Sequence, residues 1–389
     1  MYFIMDKPLK IAYITPQLYT ADGVVRVLTM KANYFAENYN YDITIILTEG
    51  KEKPLFYQLS DKIHVVNLDL NFEEIWHQSF FKKAMIYLKK QRKYKKQLTK
   101  ELMQLHPDIT VTLLRREINF INDIKDGSKK IGELHVNRSN YRNFEQYDSN
   151  FFKEIFAKFW MYNLVKKLKR LDKFIILTEE DSHNWTGLHN VSIIPNPLPF
   201  TPKTTSQLID KRVIAVGRYV YQKGFDLLLK SWSIIEKACP DWSLTIMGDG
   251  DYSEYETLVD KLNIDKARCK LMGPTNKIQD EYTNSSIFVM SSRFEGFGMV
   301  LLEAMACGLP VISFDCPCGP KDIIQHNVNG ILVESGNIER LAEAITWMIQ
   351  HPEQRKEMAI KAIKSVQRYQ INKIAMQWEK LFEEIMSKE

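Results

Sequence analysis

Two carboxylates and two cations frame the part of this chain where chemistry is most concentrated. Glu295 and Glu303 have seven residues between them, and Gly296-Phe297-Gly298 follows the first directly. The two glycines let the backbone pass close to a ligand with no Cβ in the way. The amides of Phe297, Gly298 and Met299 fall where the first N–H groups of a helix are unpaired. Such a terminus attracts a phosphate or a polarised sugar oxygen. Carboxylates on either side of it suit a ligand with hydroxyls flanking its phosphates, as a nucleotide sugar has, because a carboxylate accepts well from vicinal hydroxyls. The cations come earlier, in Gly217-Arg218 and Lys223-Gly224. Breaking a glycosyl–diphosphate bond loads negative charge on the leaving group, and a metal or fixed cations must stabilise it. Arg218 offers a planar fork and Lys223 a point charge. Taken alone, both would more often be ordinary solvated surface cations.

These residues need elements to hold them. The apolar run 286–290 reads as a buried strand, 299–307 as a helix, and 310–314 as the next strand. Gly308 and Pro310 stop the helix. The result is one βαβ unit, with Glu295 in its turn and Glu303 about two helical turns further on. Arg218 follows a predicted strand over 212–216, and Lys223-Gly224 precedes a predicted helix over 225–237. A strand over 242–247 ends in Gly248-Asp249-Gly250-Asp251, and another covers 269–273.

The first half opens in Rossmann fashion. A strand over 10–15, a loop, a helix over 24–37 and a strand over 41–48 follow one another. The loop lacks G-x-G-x-x-G, so no dinucleotide fingerprint is present. Gly23 permits close approach of a ligand, or simply a tight βα turn. Further strands are expected over 64–70, 108–114, 130–135, 173–178 and 191–194. Asn337 is placed to cap a helix over 338–350.

Bulk properties limit the class. The chain has 389 residues, 45% apolar and 26% charged, with a net charge of +5. That suits a soluble protein of two domains. No apolar run reaches the roughly 18 residues of a spanning helix. The first residues are too short and interrupted for a signal peptide, so a cytoplasmic location is expected. The five cysteines, an odd number, agree with a reducing compartment. Cys307, Cys316 and Cys318 lack a fourth ligand at zinc spacing and read as plain thiols.

Charge is uneven. Nine basic residues and no acid fall between 75 and 100, interleaved with Trp76, Phe80, Phe81, Met85, Tyr87 and Leu88. A basic, aromatic helix of this kind suits an anionic membrane surface, each cation adding about 1 kcal/mol. It also suits a solvated face packed on a sheet. A second such helix is read over 151–170, with Phe152, Phe156, Phe159 and Trp160 at helical spacing. No nucleic-acid motif accompanies the charge, so nucleic acid is not expected as a partner.

The string E-G-F-G, whose Glu has seven residues between it and the second Glu, and the run L-L-E-A-M-A-C-G-L-P-V-I closely resemble the signature of retaining glycosyltransferases of family four, within the glycosyl transferases group 1. G-R-x4-K-G at 217–224 and Ile194-Pro195-Asn196 match further family segments. The resemblance is firm over 212–334 and looser before Pro195. It implies an α/β GT-B fold: a Rossmann-like acceptor domain over 1–197, a Rossmann-like nucleotide-sugar domain over 198–370, facing it across a cleft, and a last helix over 371–389 that crosses back to the first.

It also implies transfer of a hexosyl unit from a nucleotide diphosphate sugar, with retention. Arg218, Lys223, Gly298 and Met299 would hold the diphosphate. Glu295, Phe297 and Glu303 would meet the donor sugar and ribose, and Glu295 would steady charge at the anomeric carbon. His135, at a predicted strand end, would touch the donor sugar from the first domain. Gly23, Gly217 and Gly248 would be points of close backbone approach. Asp249 and Asp251 form a D-x-D, but the family holds its diphosphate without a metal. No metal or cofactor is therefore expected, the nucleotide sugar being a substrate. The run 314–324 resembles enzymes of bacterial surface polysaccharide that use UDP-hexoses. A saccharide or polyprenyl-linked acceptor and a peripheral place on the inner face of the cytoplasmic membrane follow as expectations. Two rival readings remain: a GT-B nucleotide-sugar 2-epimerase, and a non-catalytic membrane scaffold.

Overall fold

A computed structural model describes residues 8–75, 79–138, 141 and 151–387. The chain divides into two compact units. The first gathers Met1–Leu177, Ser182–Pro195 and Ile371–Glu389, and the second Thr178–Asp181 and Asn196–Gln370. The domain change thus falls two residues before the expected 197/198 boundary. The short excursion at Thr178–Asp181 is invisible to a linear reading.

The first unit is built on strands β1 (Lys10–Thr15), β2 (Asp42–Leu47), β3 (Ile63–Asn67), β4 (Ile109–Thr112), β5 (Lys129–Glu133), β6 (Lys173–Ile176) and β7 (Val191–Ile193). They pair in parallel in the order β3-β2-β1-β4-β5-β6-β7. The second unit uses β8 (Arg212–Val216), β9 (Ser243–Met247), β10 (Cys269–Met272), β11 (Ile287–Met290), β12 (Val311–Phe314) and β13 (Gly330–Val333). Their order is β10-β9-β8-β11-β12-β13, again parallel. Both sheets are doubly wound, and each reverses its strand order once, between β1 and β4 or between β8 and β11. Ligands of such sheets bind outside the carboxyl ends of the strands at that reversal.

The helices are α1 (Gly23–Asn38), α2 (Phe80–Leu105), α3 (Phe151–Leu168), α4 (Glu179–Ser182), α5 (Phe225–Ala238), α6 (Ser253–Lys261), α7 (Ile278–Thr283), α8 (Met299–Ala306), α9 (Pro320–Ile323), α10 (Ile338–Gln350), α11 (Pro352–Val366) and α12 (Ile371–Met386). Asn337 caps α10 by accepting from the Arg340 amide at 3.0 Å. The last helix does return to the first unit. Phe382 of α12 meets Phe35 of α1 with ring centroids 5.8 Å apart.

The two basic stretches form α2 and α3. On α2, Tyr94, Leu98 and Leu102 enter the core, while Met85 and Leu88 are left exposed. Some of its lysines have protein partners: Lys90 donates to the Leu70 carbonyl at 2.7 Å, and Lys95 pairs with Asp123 at 3.4 Å. On α3, Phe159 points to solvent, as do Ile155 and Tyr162, while Trp160 is half-buried against Tyr141. Trp76 and the side chains of Phe80, Phe81, Phe152 and Phe156 lie outside the described residues. Among the described residues no helix is long and apolar enough to cross a membrane. All five cysteines are free and buried.

Candidate active site

In the second unit the carboxyl ends of β8 and β11 bring four of the singled-out residues close together. The loop after β8 carries Gly217, Arg218 and Lys223, and the loop after β11 carries Glu295. Lys223 Nζ donates to Glu295 Oε1 at 2.6 Å, with side-chain exposures of 14% and 7%. Ser292 Oγ donates to the same oxygen at 2.6 Å. Arg218, by contrast, is exposed.

The two loops are fastened along their length. Ser291 Oγ donates to the Lys223 carbonyl at 2.9 Å, the Arg293 amide to the Gln222 carbonyl at 2.8 Å, and Gln222 Nε2 to the Phe294 carbonyl at 3.0 Å. Arg293 also forks onto both oxygens of Asp226, at 2.8 and 2.7 Å, and its guanidinium lies 4.0 Å from the Tyr221 ring centroid. Such a bidentate pair fixes direction as well as distance. Backbone and side chains therefore set the Lys223–Glu295 separation before any ligand arrives.

The glycines have identifiable reasons. Gly298, at φ +89°, is the residue before α8 and adopts a conformation that side chains rarely take. At Gly248 a Cβ would stand 1.8 Å from the Gly217 carbonyl oxygen. The close approach seen there is between two protein loops. At Gly217 the nearest neighbours would be the Lys223 methylenes, at 3.1–3.2 Å. Gly23, in the first unit, faces open space, and it is Asp22 that caps α1 through the Val25 amide at 2.8 Å.

Glu303 is buried on α8 and accepts from the Tyr282 hydroxyl at 3.0 Å. The Phe297 ring is buried against Tyr369, so any part Phe297 takes in binding is through its backbone. Met299 begins α8. The D-x-D acids are used locally. Asp249 Oδ1 accepts from the Gly250 amide, and Asp251 Oδ1 from the Ser253 amide at the start of α6. Among the described residues no group of three or more His, Cys, Asp or Glu could hold a metal ion. Cys316 stands near Glu295. Burial first, and that carboxylate second, push its thiol pKa up. A cavity of about 740 Å³ in this unit, lined by Leu332, Arg340, Trp347 and Met358 among others, contains none of these residues.

His135 belongs to the first unit. It lies two residues beyond the end of β5, which stops at Glu133 and not at the histidine. Its Nε2 is 3.3 Å from Glu133 Oε1. Lys31 of α1 donates to both oxygens of Glu133, at 2.5 and 2.6 Å. Sequence reasoning missed this trio. The signal was available: Lys31 sits among Val27, Leu28, Ala32 and Phe35 on the buried stripe of α1, where a charge requires a partner. Tyr282, Ser292 and Arg293 were also missed.

The family model for glycosyl transferases group 1 matches residues 201–365. An uncharacterized glycosyltransferase of Haemophilus influenzae is 30% identical over 383 residues, 95% of this chain and 98% of that one. The chain belongs to the glycosyl transferases group 1. The amylovoran biosynthesis glycosyltransferase AmsD of Erwinia amylovora is 32% identical over 230 residues, 55% of this chain and 64% of that protein. Among solved structures, an S. aureus TarM variant in complex with Fondaparinux, alpha-GlcNAc-glycerol and UDP superposes with a TM-score of 0.75 at 17% identity, covering 96% of this chain and 99% of that one. The fold is accordingly GT-B, and the protein is a glycosyltransferase. Gly217, Arg218, Lys223, Gly248, Glu295, Phe297, Gly298, Met299 and Glu303 all lie inside the matched segment, whereas Gly23 and His135 lie outside it.

Proposed function

We propose that this glycosyltransferase moves a hexosyl unit from a UDP-hexose to a saccharide or lipid-linked saccharide of a cell-surface polysaccharide, with retention and without a metal. The observation that carries the reading is the Lys223–Glu295 pair at the strand-order reversal of the second sheet. Its cation and carboxylate stand 2.6 Å apart. Lys223 and the exposed Arg218 take the diphosphate, with the amides at Gly298 and Met299 adding the start of α8. Glu303, steadied by Tyr282, accepts from the ribose hydroxyls. Glu295 accepts from hydroxyls of the hexose and stabilises positive charge growing at the anomeric carbon.

The acceptor oxygen bonds to the anomeric carbon on the face from which the diphosphate departs. The bond from that carbon to the phosphate oxygen breaks, and the departing oxygen takes the acceptor's proton. Glu295 is not a general base in this scheme. His135 touches the donor sugar from the first unit. AmsD and the UDP-bound TarM variant favour a polysaccharide product and a uridine donor.

An anionic membrane surface is the proposed docking partner. Support comes from exposed Met85 and Leu88 among the lysines of α2, and from exposed Ile155, Phe159 and Tyr162 on α3. Both helices contribute to one hydrophobic core. Sedimentation with vesicles containing phosphatidylglycerol, but not with neutral vesicles, is expected. Equal sedimentation with neither would remove the membrane from the scheme.

The deciding test is a panel of nucleotide sugars assayed with EDTA present. Release of UDP from one UDP-hexose, unaffected by EDTA, is expected. Lys223→Ala and Glu303→Ala should both stay folded with transfer strongly reduced; for Lys223→Ala the loss is about 100- to 1000-fold, the range for deleting a group that stabilises transition-state charge. Full activity in both variants defeats the site. Release only with a divalent metal points to Asp249 and Asp251, and a 2-epimerised sugar as product points to the epimerase.

A further inference from the structure

Two charged side chains in the first unit are almost completely withdrawn from water. Lys31 and Glu133 each keep 2% of their side-chain exposure. The ammonium also lies 4.2 Å from the ring centroid of Trp378 on α12 and 5.9 Å from that of Tyr13 on β1. Taking such ions out of water costs several kcal/mol each, and apolar residues of similar size often serve stability as well or better. The neighbours of Lys31 on its helix face are apolar and buried, so packing alone does not call for a charge there.

What the pair does have beside it is a histidine. His135 Nε2 stands 3.3 Å from Glu133 Oε1, and the histidine side chain is 6% exposed. Both ring nitrogens are buried, and neither makes a hydrogen bond of good geometry, so the carboxylate acts on the ring through proximity and charge. Burial alone would raise the Glu133 carboxyl. The ammonium of Lys31, and then His135, outweigh it and hold the carboxyl at about 2. The ion that faces the imidazole is therefore a carboxylate.

We propose that Glu133 is a positioning residue, clamped by Lys31 beside Trp378, which holds the His135 proton on Nε2 and leaves Nδ1 without one. A carboxylate beside one ring nitrogen fixes the tautomer, and the other nitrogen then carries the lone pair. The returning helix α12 takes part through Trp378, whose ring centroid lies 4.2 Å from the ammonium. The effect on transfer expected below rests on the reading of His135 as a donor-sugar contact; the lock itself does not.

The full-length protein labelled with 15N at histidine tests it by two-bond 15N–1H correlation, at a pH where the ring is neutral. A His135→Asn variant assigns the signal. The expected pattern is a protonated Nε2 and a bare Nδ1. Lys31→Met/Glu133→Leu removes both charges together and should fold. It is expected to show mixed tautomers and to lose about 10- to 100-fold in kcat/KM, the range for losing a partner that orients a functional histidine. A bare Nε2 in the wild-type spectrum, or the same tautomer in the double variant, overturns the lock whatever the activity. Full transfer by His135→Ala overturns the reading beneath it, while the 15N spectrum judges the lock separately.

Discussion

Each of the two units sets a lysine against a glutamate near the carboxyl ends of its strands, and the two pairs are nearly identical in length. Lys223–Glu295 spans 2.6 Å and Lys31–Glu133 2.5 Å. Their surroundings separate them. The first pair keeps 14% and 7% of its side-chain exposure and sits on two loops stitched together by backbone and side-chain bonds. The second keeps 2% on each side and joins the middle of a helix to the last residue of a strand. The same chemistry thus supports two tasks. A pair with residual access to solvent can exchange one partner for a ligand. A sealed pair cannot, and its charge acts on a neighbour already in place, here His135.

The widest gap between the pairs should appear when only the lysine is removed. Lys31→Met leaves a carboxylate sealed without its counter-ion and is expected to cost about 3–5 kcal/mol of stability. Lys223→Met leaves Glu295 with Ser292 and some solvent, so a loss of about 1 kcal/mol is expected, with transfer almost abolished. Urea unfolding followed by tryptophan fluorescence compares them. Equal losses would mean that burial does not distinguish the pairs.

A smaller effect comes from acid. The folded pKa of Glu133, about 2, lies below the ordinary carboxylate value, so the unfolded chain binds its proton first as pH falls. The stability it contributes is complete above about pH 4.5 and is lost progressively toward pH 2. Urea midpoints of wild type should therefore fall through that window more steeply than those of Lys31→Met/Glu133→Leu. Parallel slopes would show that the sealed carboxylate is not held ionised.

The frame was plain in the sequence because strand, turn and helix each leave a local pattern. The strand at 212–216 and the helix at 338–350 fall where periodicity puts them. Strand ends were harder. The run 64–70 looked like one strand, yet β3 ends at Asn67, because Asp69 adopts φ +49° and breaks the extended backbone. Leu68 and Leu70 still enter the core from outside the ladder. Of the site, the residues named by a compact motif could be read: Lys223, Glu295 and Glu303. The partners that aim them could not. Arg293 reaches Asp226 across 67 positions and Lys31 reaches Glu133 across 102, and no local pattern links residues so far apart. Lys31 was hidden in plain view, since its helix reads as amphipathic whether or not the lysine is counted.

The smallest expected change probes a partner of that unread kind. Tyr282 is wholly buried, and its hydroxyl donates to Glu303 Oε2 at 3.0 Å. Tyr282→Phe keeps the ring and its edge contact with Phe288 and removes only the hydroxyl. A lost hydrogen bond of this type is worth about 1 kcal/mol, or roughly a fivefold change in binding. If Glu303 holds the ribose equally in ground and transition states, KM for the nucleotide sugar should rise by about that factor and kcat should stay. The His135 spectrum, belonging to the other unit, should not move. A fall in kcat with KM unchanged would instead place Glu303 among the groups that act only as the glycosyl bond breaks. The division of labour between the pairs would then extend to a third carboxylate, one sealed by a tyrosine yet still tied to the reaction.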